Sequence, residues 1–225
     1  SYYTLHMIIT YNGHSSFKLK GKDGSVVTDP FSSSIGFDFP KTSADIVTTS
    51  HDHEDHNQVG KVGKTARRDQ PFVINAPGEY EVGGISVFGV KTSHDQSEGE
   101  DRGTNIIFTF LLDEMRVCHL GDLGHELSPE QIKKIGSVDV LLCPVGGVFT
   151  IDPKLAVKTI KSLEPSIVIP MHYKTPAHDE KTFGEVSTLE EFLKEYGVEV
   201  EAEEKLNMDR SRLPEETEVV VLRRG

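Results

Sequence analysis

The 225-residue chain contains no apolar run approaching the length of a membrane span and no hydrophobic stretch of the signal-peptide kind, so a soluble protein is expected. It has only two cysteines, Cys118 and Cys143, both in apolar, strand-like surroundings. That is too few for a disulfide framework and fits buried thiols in a reducing compartment, so a cytoplasmic location is expected. Cations are also in deficit: 24 Lys and Arg against 36 Asp and Glu leave a balance of 24 − 36 = −12. This opposes non-specific attachment to nucleic acid or anionic membranes, and neither is expected as a partner. There is no internal repeat and no linker-like stretch. With 36% hydrophobic residues the chain can bury a substantial core. Residues 1–6 (Ser1 to His6) lack an initiating Met, whereas Met7 opens a strand-like run. We read 1–6 as a vector-derived leader and 7–225 as a single domain.

What the chain does have is histidine in one place. His51-Asp52-His53-Glu54-Asp55-His56 follows the β-branched run Ile46 to Thr49 and Ser50, which places the cluster on a loop leaving a buried strand. If the strand backbone persists, His51 and His53 share a side, because side chains alternate with a period of two. Asp55 and His56 then offer a carboxylate oxygen and a third imidazole to a neighbouring position. That mixed nitrogen and oxygen set suits zinc, iron or manganese. An isolated His-x-His is more often a solvated loop, but four potential ligands in six residues reverse that preference.

Along the chain, Ile8 to Tyr11, Ser16 to Leu19 and Ser25 to Thr28 read as an antiparallel meander, with Gly21 to Gly24 as a turn. Residues 57–68 are polar and allow at most a short helix. Strands resume at Phe72 to Asn75, Glu79 to Val82 and Ile85 to Val90 and lead into His94; the acidic, Gly-containing stretch 95–104 beyond it reads as a solvated loop. A hairpin, Asn105 to Leu112 and Met115 to Leu120, ends at Gly121-Asp122, where glycine permits close backbone approach. Helices then alternate with strands. Ser128-Pro129 with Gln131 caps one helix, Asp152-Pro153 a second, and Ser187 to Glu190 forms a capping box for a third that Gly197 ends. Val138 to Val145 and Ile167 to Ile169 are strands, the latter leading to His172, and Glu215 to Leu222 makes a closing strand. From the residues alone this is mixed α/β.

The pattern His51-x-His53-x-Asp55-His56, followed in order by His94, Gly121-Asp122 and His172, each after a strand, resembles the signature of the metallo-β-lactamase superfamily. The resemblance covers nearly the whole chain from Met7 and implies a four-layer αββα sandwich of α/β (α+β) class. It implies two divalent ions, zinc first, with manganese or iron as alternatives. His51, His53 and His94 would hold the first ion, Asp55, His56 and His172 the second, and Asp122 would bridge them. A hydroxide shared by the two ions would attack the substrate, with Asp55 orienting it. Asp122 in place of a Cys separates the chain from true zinc β-lactamases. The 172 − 122 = 50 positions between Asp122 and His172 leave no room for the inserted domain of RNA-cleaving relatives.

Gly13-His14-Ser15-Ser16-Phe17, Thr28-Asp29-Pro30-Phe31 and His119-Leu120-Gly121-Asp122 are most similar to the stand-alone hydrolase branch that includes ascorbate-6-phosphate lactonase. A small anionic ester or lactone is therefore the expected substrate. Phosphodiester cleavage on nucleic acid or nucleotides, and a non-catalytic metal-binding role, are the alternatives. His14, Asp29 and His119 are candidates for supporting the ligands, and Tyr173 and Lys174 for meeting an anionic substrate. The sequence leaves association into a homo-oligomer open.

Overall fold

The computed structural model describes residues 6–95, 99–100 and 102–225, so the leader expected at 1–6 lies almost wholly outside the described residues. Alternating burial builds the first sheet. In β1 (Met7–Gly13), β2 (Ser16–Lys20) and β3 (Ser25–Thr28), an antiparallel meander, Met7, Ile9, Phe17, Leu19 and Val26 turn inward. After β4 (Thr42–Ser43), β5 (Ile46–Thr48) pairs in parallel with β3. β6 (Val62–Gly63) pairs with β4, and β7 (Phe72–Ile74) pairs in parallel with β5.

The second sheet starts with β8 (Gly78–Val82), β9 (Ile85–Ser93), β10 (Thr104–Leu112) and β11 (Met115–His119), each antiparallel to the last. The β10–β11 turn is Asp113-Glu114, with φ of 51° and 63°, so both central residues are left-handed, as the tightest hairpin turns require. β12 (Val140–Pro144) and β13 (Ile167–Met171) extend the sheet in parallel. β14 (Leu206–Met208) returns to the first sheet beside β1, and β15 (Glu218–Val219) lies beside β13. The orders are β14-β1-β2-β3-β5-β7 and β15-β13-β12-β11-β10-β9-β8.

The inner faces of both sheets share one core, in which Phe17, Ile46, Val87, Phe108 and Phe110 meet. α1 (Pro129–Ile135) and α2 (Pro153–Leu163) pack on the seven-stranded sheet at β9 and β12; the one-turn α3 (Glu180–Phe183) follows β13 in the chain, and α4 (Leu189–Tyr196) packs on α2. α2 buries Ala156, Thr159, Ile160 and Leu163, the helical i, i+3, i+4, i+7 stripe, and packs on β12 and α4. Val27, Ala44, Val47 and Val62 form a small cluster with Phe39 and with Val59 of the 3-10 turn Val59–Lys61, and Ile35 of the turn Ser33–Ile35 joins a second with Phe31, Phe183 and Val186. The whole is the mixed α/β sandwich the sequence implies. Among the described residues no helix is long and apolar enough to cross a membrane.

Three local expectations need adjusting. The capping box of α4 is Thr188 with Glu191, one residue later than expected, because Thr188 rather than Ser187 adopts the extended N-cap backbone. The closing strand shrinks to Glu218–Val219 plus isolated bridges at Leu222 and Arg224. β14 and α3 were not anticipated; at three and four residues they are too short to show a period.

Cys118 and Cys143 lie on the neighbouring strands β11 and β12, both fully buried. Burial pushes the Cys118 thiol up to about 12 and the Cys143 thiol higher still. Neither should react with a thiol-exchange chromophore at pH 8 in the native protein, and both should react in denaturant. Prompt native labelling of either would contradict this packing.

Candidate metal centre

The centre is built at the strand ends. His14 lies in the β1–β2 turn, His51 to His56 after β5, His94 after β9, Asp122 after β11 and His172 after β13. Residues 51–56 are bends and turns rather than strand, so the expected two-residue alternation does not operate. The His51 and His53 rings nevertheless meet, at 4.6 Å between centroids, because the loop folds back on itself.

Asp29 is the anchor beneath this loop. Its Oδ1 accepts from the Ser50 backbone N–H at 2.7 Å; its Oδ2 accepts from the Ser50 hydroxyl at 2.6 Å and from His56 Nδ1 at 2.9 Å. Because Ser50 spends its single proton on Asp29, its oxygen must accept from His51 Nδ1, 2.9 Å away. One carboxylate thus fixes the tautomer of two imidazoles and leaves the Nε2 of both His51 and His56 bare. Those two atoms are buried and have no hydrogen-bond partner among the described residues; the same holds for both ring nitrogens of His172 and for Asp122 Oδ1.

The bare nitrogens converge. Asp122 Oδ2 lies 3.2 Å from His56 Nε2, 3.2 Å from His172 Nε2, 3.3 Å from His94 Nε2 and 3.9 Å from His51 Nε2. Among the described residues, three groups have ligand atoms all within 4.8 Å of one another: His51, His53 and His94; His51, His56 and Asp122; and His14, Asp55, His56 and His172. Buried polar atoms are normally paired, so a knot of unpaired imidazole nitrogens around one carboxylate fits a metal centre better than a packed core.

Backbone strain concentrates here. His14, Asp29 and His172 have φ of 55°, 39° and 53°, a conformation costing on the order of 1–2 kcal/mol each. The His14 carbonyl accepts from His172 N–H at 2.9 Å and from the Tyr11 hydroxyl at 2.9 Å, which ties two strained residues together. Gly121, at φ 57°, has no room for a side chain: a Cβ there would lie 2.3 Å from Asn105 Oδ1, the atom that accepts the Asp122 N–H.

Electrostatics keep several of the donors available, whereas at His56 the carboxylates Asp122 and Asp55 outweigh burial and raise the imidazole well above its usual value. Burial, then the neighbouring His56, pushes His51 down to about 3, so it is neutral at ordinary pH. Burial and His172 lower His14 to about 4. Burial alone would raise Asp122 and Asp55, but nearby imidazoles outweigh it and hold both well below the usual carboxylate range: His172 and His56 for Asp122, His56 and the His14 hydrogen bond for Asp55.

The structure therefore brings His51, His53, His94, Asp55, His56, Asp122 and His172 together, with Asp29 behind His56. His14 stands closer than a supporting role requires: its Nε2 lies 3.2 Å from Asp55 Oδ2 and its ring centroid 4.1 Å from that of His172. His119 is buried and spent, with Nε2 on the Ser15 carbonyl at 2.7 Å and Nδ1 accepting from Gly121 N–H. Tyr173 lines a separate cavity beside Tyr11, and the Lys174 ammonium is taken up by Glu180 and the Gly184 carbonyl. A pocket of about 270 Å³ opens over the centre, lined by His53, Asp55, His94, Arg102, Asp122, Phe149, Thr182 and Phe183. Arg102, Phe149, Thr182 and Phe183 were missed from the sequence. The one available signal was Arg102, the single basic residue in the acidic stretch 95–104.

The chain matches the family model of the β-lactamase superfamily domain over residues 8–172. It is similar to a UPF0173 metal-dependent hydrolase of Archaeoglobus fulgidus, 30% identical over 198 residues that cover 75% of this chain and 84% of the relative. A UPF0173 metal-dependent hydrolase of Desulforamulus reducens is 29% identical over 197 residues, covering 75% and 85%. Among solved structures, a Thermotoga maritima protein assigned to the Zn-dependent hydrolases of the metallo-β-lactamase superfamily superposes with a TM-score of 0.76 at 38% identity, over 96% of this chain and 98% of that one.

Asp29→Asn keeps the shape but turns one acceptor into a donor that faces Ser50 or His56. Affinity for a divalent ion should fall about 10–100-fold with the fold intact, measured by competition with a chromophoric chelator. Wild-type affinity in a folded Asp29→Asn protein would remove Asp29 from this role.

Proposed function

The chain belongs to the β-lactamase superfamily, among its stand-alone metal-dependent hydrolases, and on that footing we propose that it hydrolyses a small anionic ester or lactone at a two-ion centre. The observation that carries this reading is the convergence of buried imidazole nitrogens, from His56, His94 and His172, on Asp122 Oδ2 at the floor of a pocket. His51, His53 and His94 would hold one ion, Asp55, His56 and His172 the other, with Asp122 between them. Histidine and carboxylate donors accept zinc, manganese or iron; zinc is our first choice. When bound, such ions polarise the carbonyl or phosphoryl group and lower the pKa of water from roughly 15.7 to about 7.

The protein's own groups supply orientation. Asp55 faces the pocket, and the His14 Nε2–H donated to its Oδ2 fixes the plane of the carboxylate. Held so far below the usual range, Asp55 is a weak base; its role is to orient the attacking water by accepting a hydrogen bond. Phe149 and Phe183 give the pocket apolar walls that limit bulk water around the reacting group. No side-chain nucleophile is required.

The size of the pocket favours a small molecule over a polymer, since small-molecule sites run to about 300–1,000 Å³ and this one lies at the lower edge. A net charge of −12 adds to the case against nucleic acid as substrate.

Elemental analysis of protein purified without added metal should give about two divalent ions per chain, and anomalous scattering should place them on the named residues. Asp55→Ala and His56→Ala should each lower kcat/KM by on the order of 10³-fold with native circular dichroism. Full turnover by a metal-loaded Asp55→Ala protein would refute the assignment.

A further inference from the structure

Arg102 is the one guanidinium among the described residues that line the pocket over Asp122. It also lines an adjoining hollow of about 550 Å³ that shares His94 and Phe149 with the first. Three constraints hold it there. Asp95, next to His94, accepts from the Arg102 backbone N–H at 2.7 Å and from Gly99 N–H at 2.8 Å, so the turn carrying Arg102 is tied to the strand end carrying a proposed ligand. An Arg102 Nη1–H donates to the Val148 carbonyl, and the guanidinium carbon lies 5.1 Å from the Phe149 ring centroid. Val148 itself has φ 60°, a left-handed backbone that a β-branched residue keeps only under constraint.

The rest of the guanidinium has no hydrogen-bond partner among the described residues. Among the described residues no carboxylate lies within salt-bridge distance of it, although carboxylates outnumber Lys and Arg in this chain by 36 to 24. A planar cation seated on a ring, fixed along one edge by a carbonyl and lacking an acidic partner among the described residues can present its remaining N–H groups to an oxyanion.

We propose that Arg102 determines specificity by binding a carboxylate or phosphate of the substrate beside the Phe149 ring while the scissile acyl group lies at the Asp122 centre. This rests on the hydrolase reading and narrows it. The substrate carries two separate functions, a hydrolysable ester or lactone and an oxyanion, within the reach of one pocket. A lysine at 102 would keep the charge but lose the two-pronged geometry.

Calorimetry tests this without turnover. Metal-loaded wild type, Arg102→Ala and Arg102→Lys are titrated with glutarate and with inorganic phosphate, each variant first shown to melt as wild type does. Arg102→Ala should weaken binding of at least one anion about 10–100-fold, and Arg102→Lys by less; the anion affected identifies carboxylate or phosphate as the recognised group. Equal affinities in wild type and Arg102→Ala, or no binding of either anion to wild type, would overturn the proposal. Where glutarate is the anion affected, the kcat/KM ratio of mono-4-nitrophenyl glutarate over 4-nitrophenyl butyrate should also fall by a similar factor in Arg102→Ala, and an unchanged ratio would then overturn the proposal. If wild type hydrolyses neither ester, the hydrolase reading fails for such substrates, and calorimetry alone decides the role of Arg102.

Discussion

Burying the Asp122 carboxylate without a cation beside it would cost several kcal/mol, and much of this molecule can be understood as the means of meeting that cost. His56, His94 and His172 approach one of its oxygens from three different strand ends, and His51 stands slightly farther off. His56, His94 and His172 come from different parts of the chain. The carboxylate is therefore satisfied only when both sheets are assembled, and the site is a property of the sandwich rather than of any one loop.

A second carboxylate, Asp29, gives the first its chemical meaning. It is not in the pocket, yet it sets which nitrogen of His51 and of His56 carries the proton, directly for His56 and through Ser50 for His51. Without that restraint either ring could turn a proton towards the centre. The left-handed backbones at His14, Asp29 and His172 belong to the same design: they are local costs that surrounding hydrogen bonds sustain, and they aim side chains where regular strands would not.

Around this centre the wall differs in character from the floor. The floor is imidazole and carboxylate; the walls add Phe149, Phe183 and one guanidinium. Such a division suits an enzyme in which the floor supplies reactivity and the wall chooses among substrates. Fold membership alone cannot give that second property, because many chemistries share one scaffold and differ in the loops above it.

The strands that lead to the site, the α1 capping box at Ser128 and Gln131, and the candidate donors of residues 51–56 were legible in the sequence, since each leaves a local mark: alternating burial, a cap followed by a glutamine, or histidines packed at short spacing; His94, Asp122 and His172 were reached through the family resemblance. Even there the geometry came by another route, because His51 and His53 meet through a folded turn and not through strand alternation. The short elements β14 and α3, the shift of the α4 cap to Thr188, and the fate of His119, Tyr173 and Lys174 left no such mark. Whether a polar side chain faces a pocket or a neighbouring carbonyl depends on residues far away in the chain, as His119 on Ser15 shows. By itself the sequence determined a mixed α/β class, from local pattern, and a set of candidate metal-holding residues, from donor chemistry and a family resemblance. Only the tertiary structure decided which nitrogens are left bare, which carboxylate lies at the centre and that Arg102 stands over it, because these depend on distances between segments that the chain brings together only on folding.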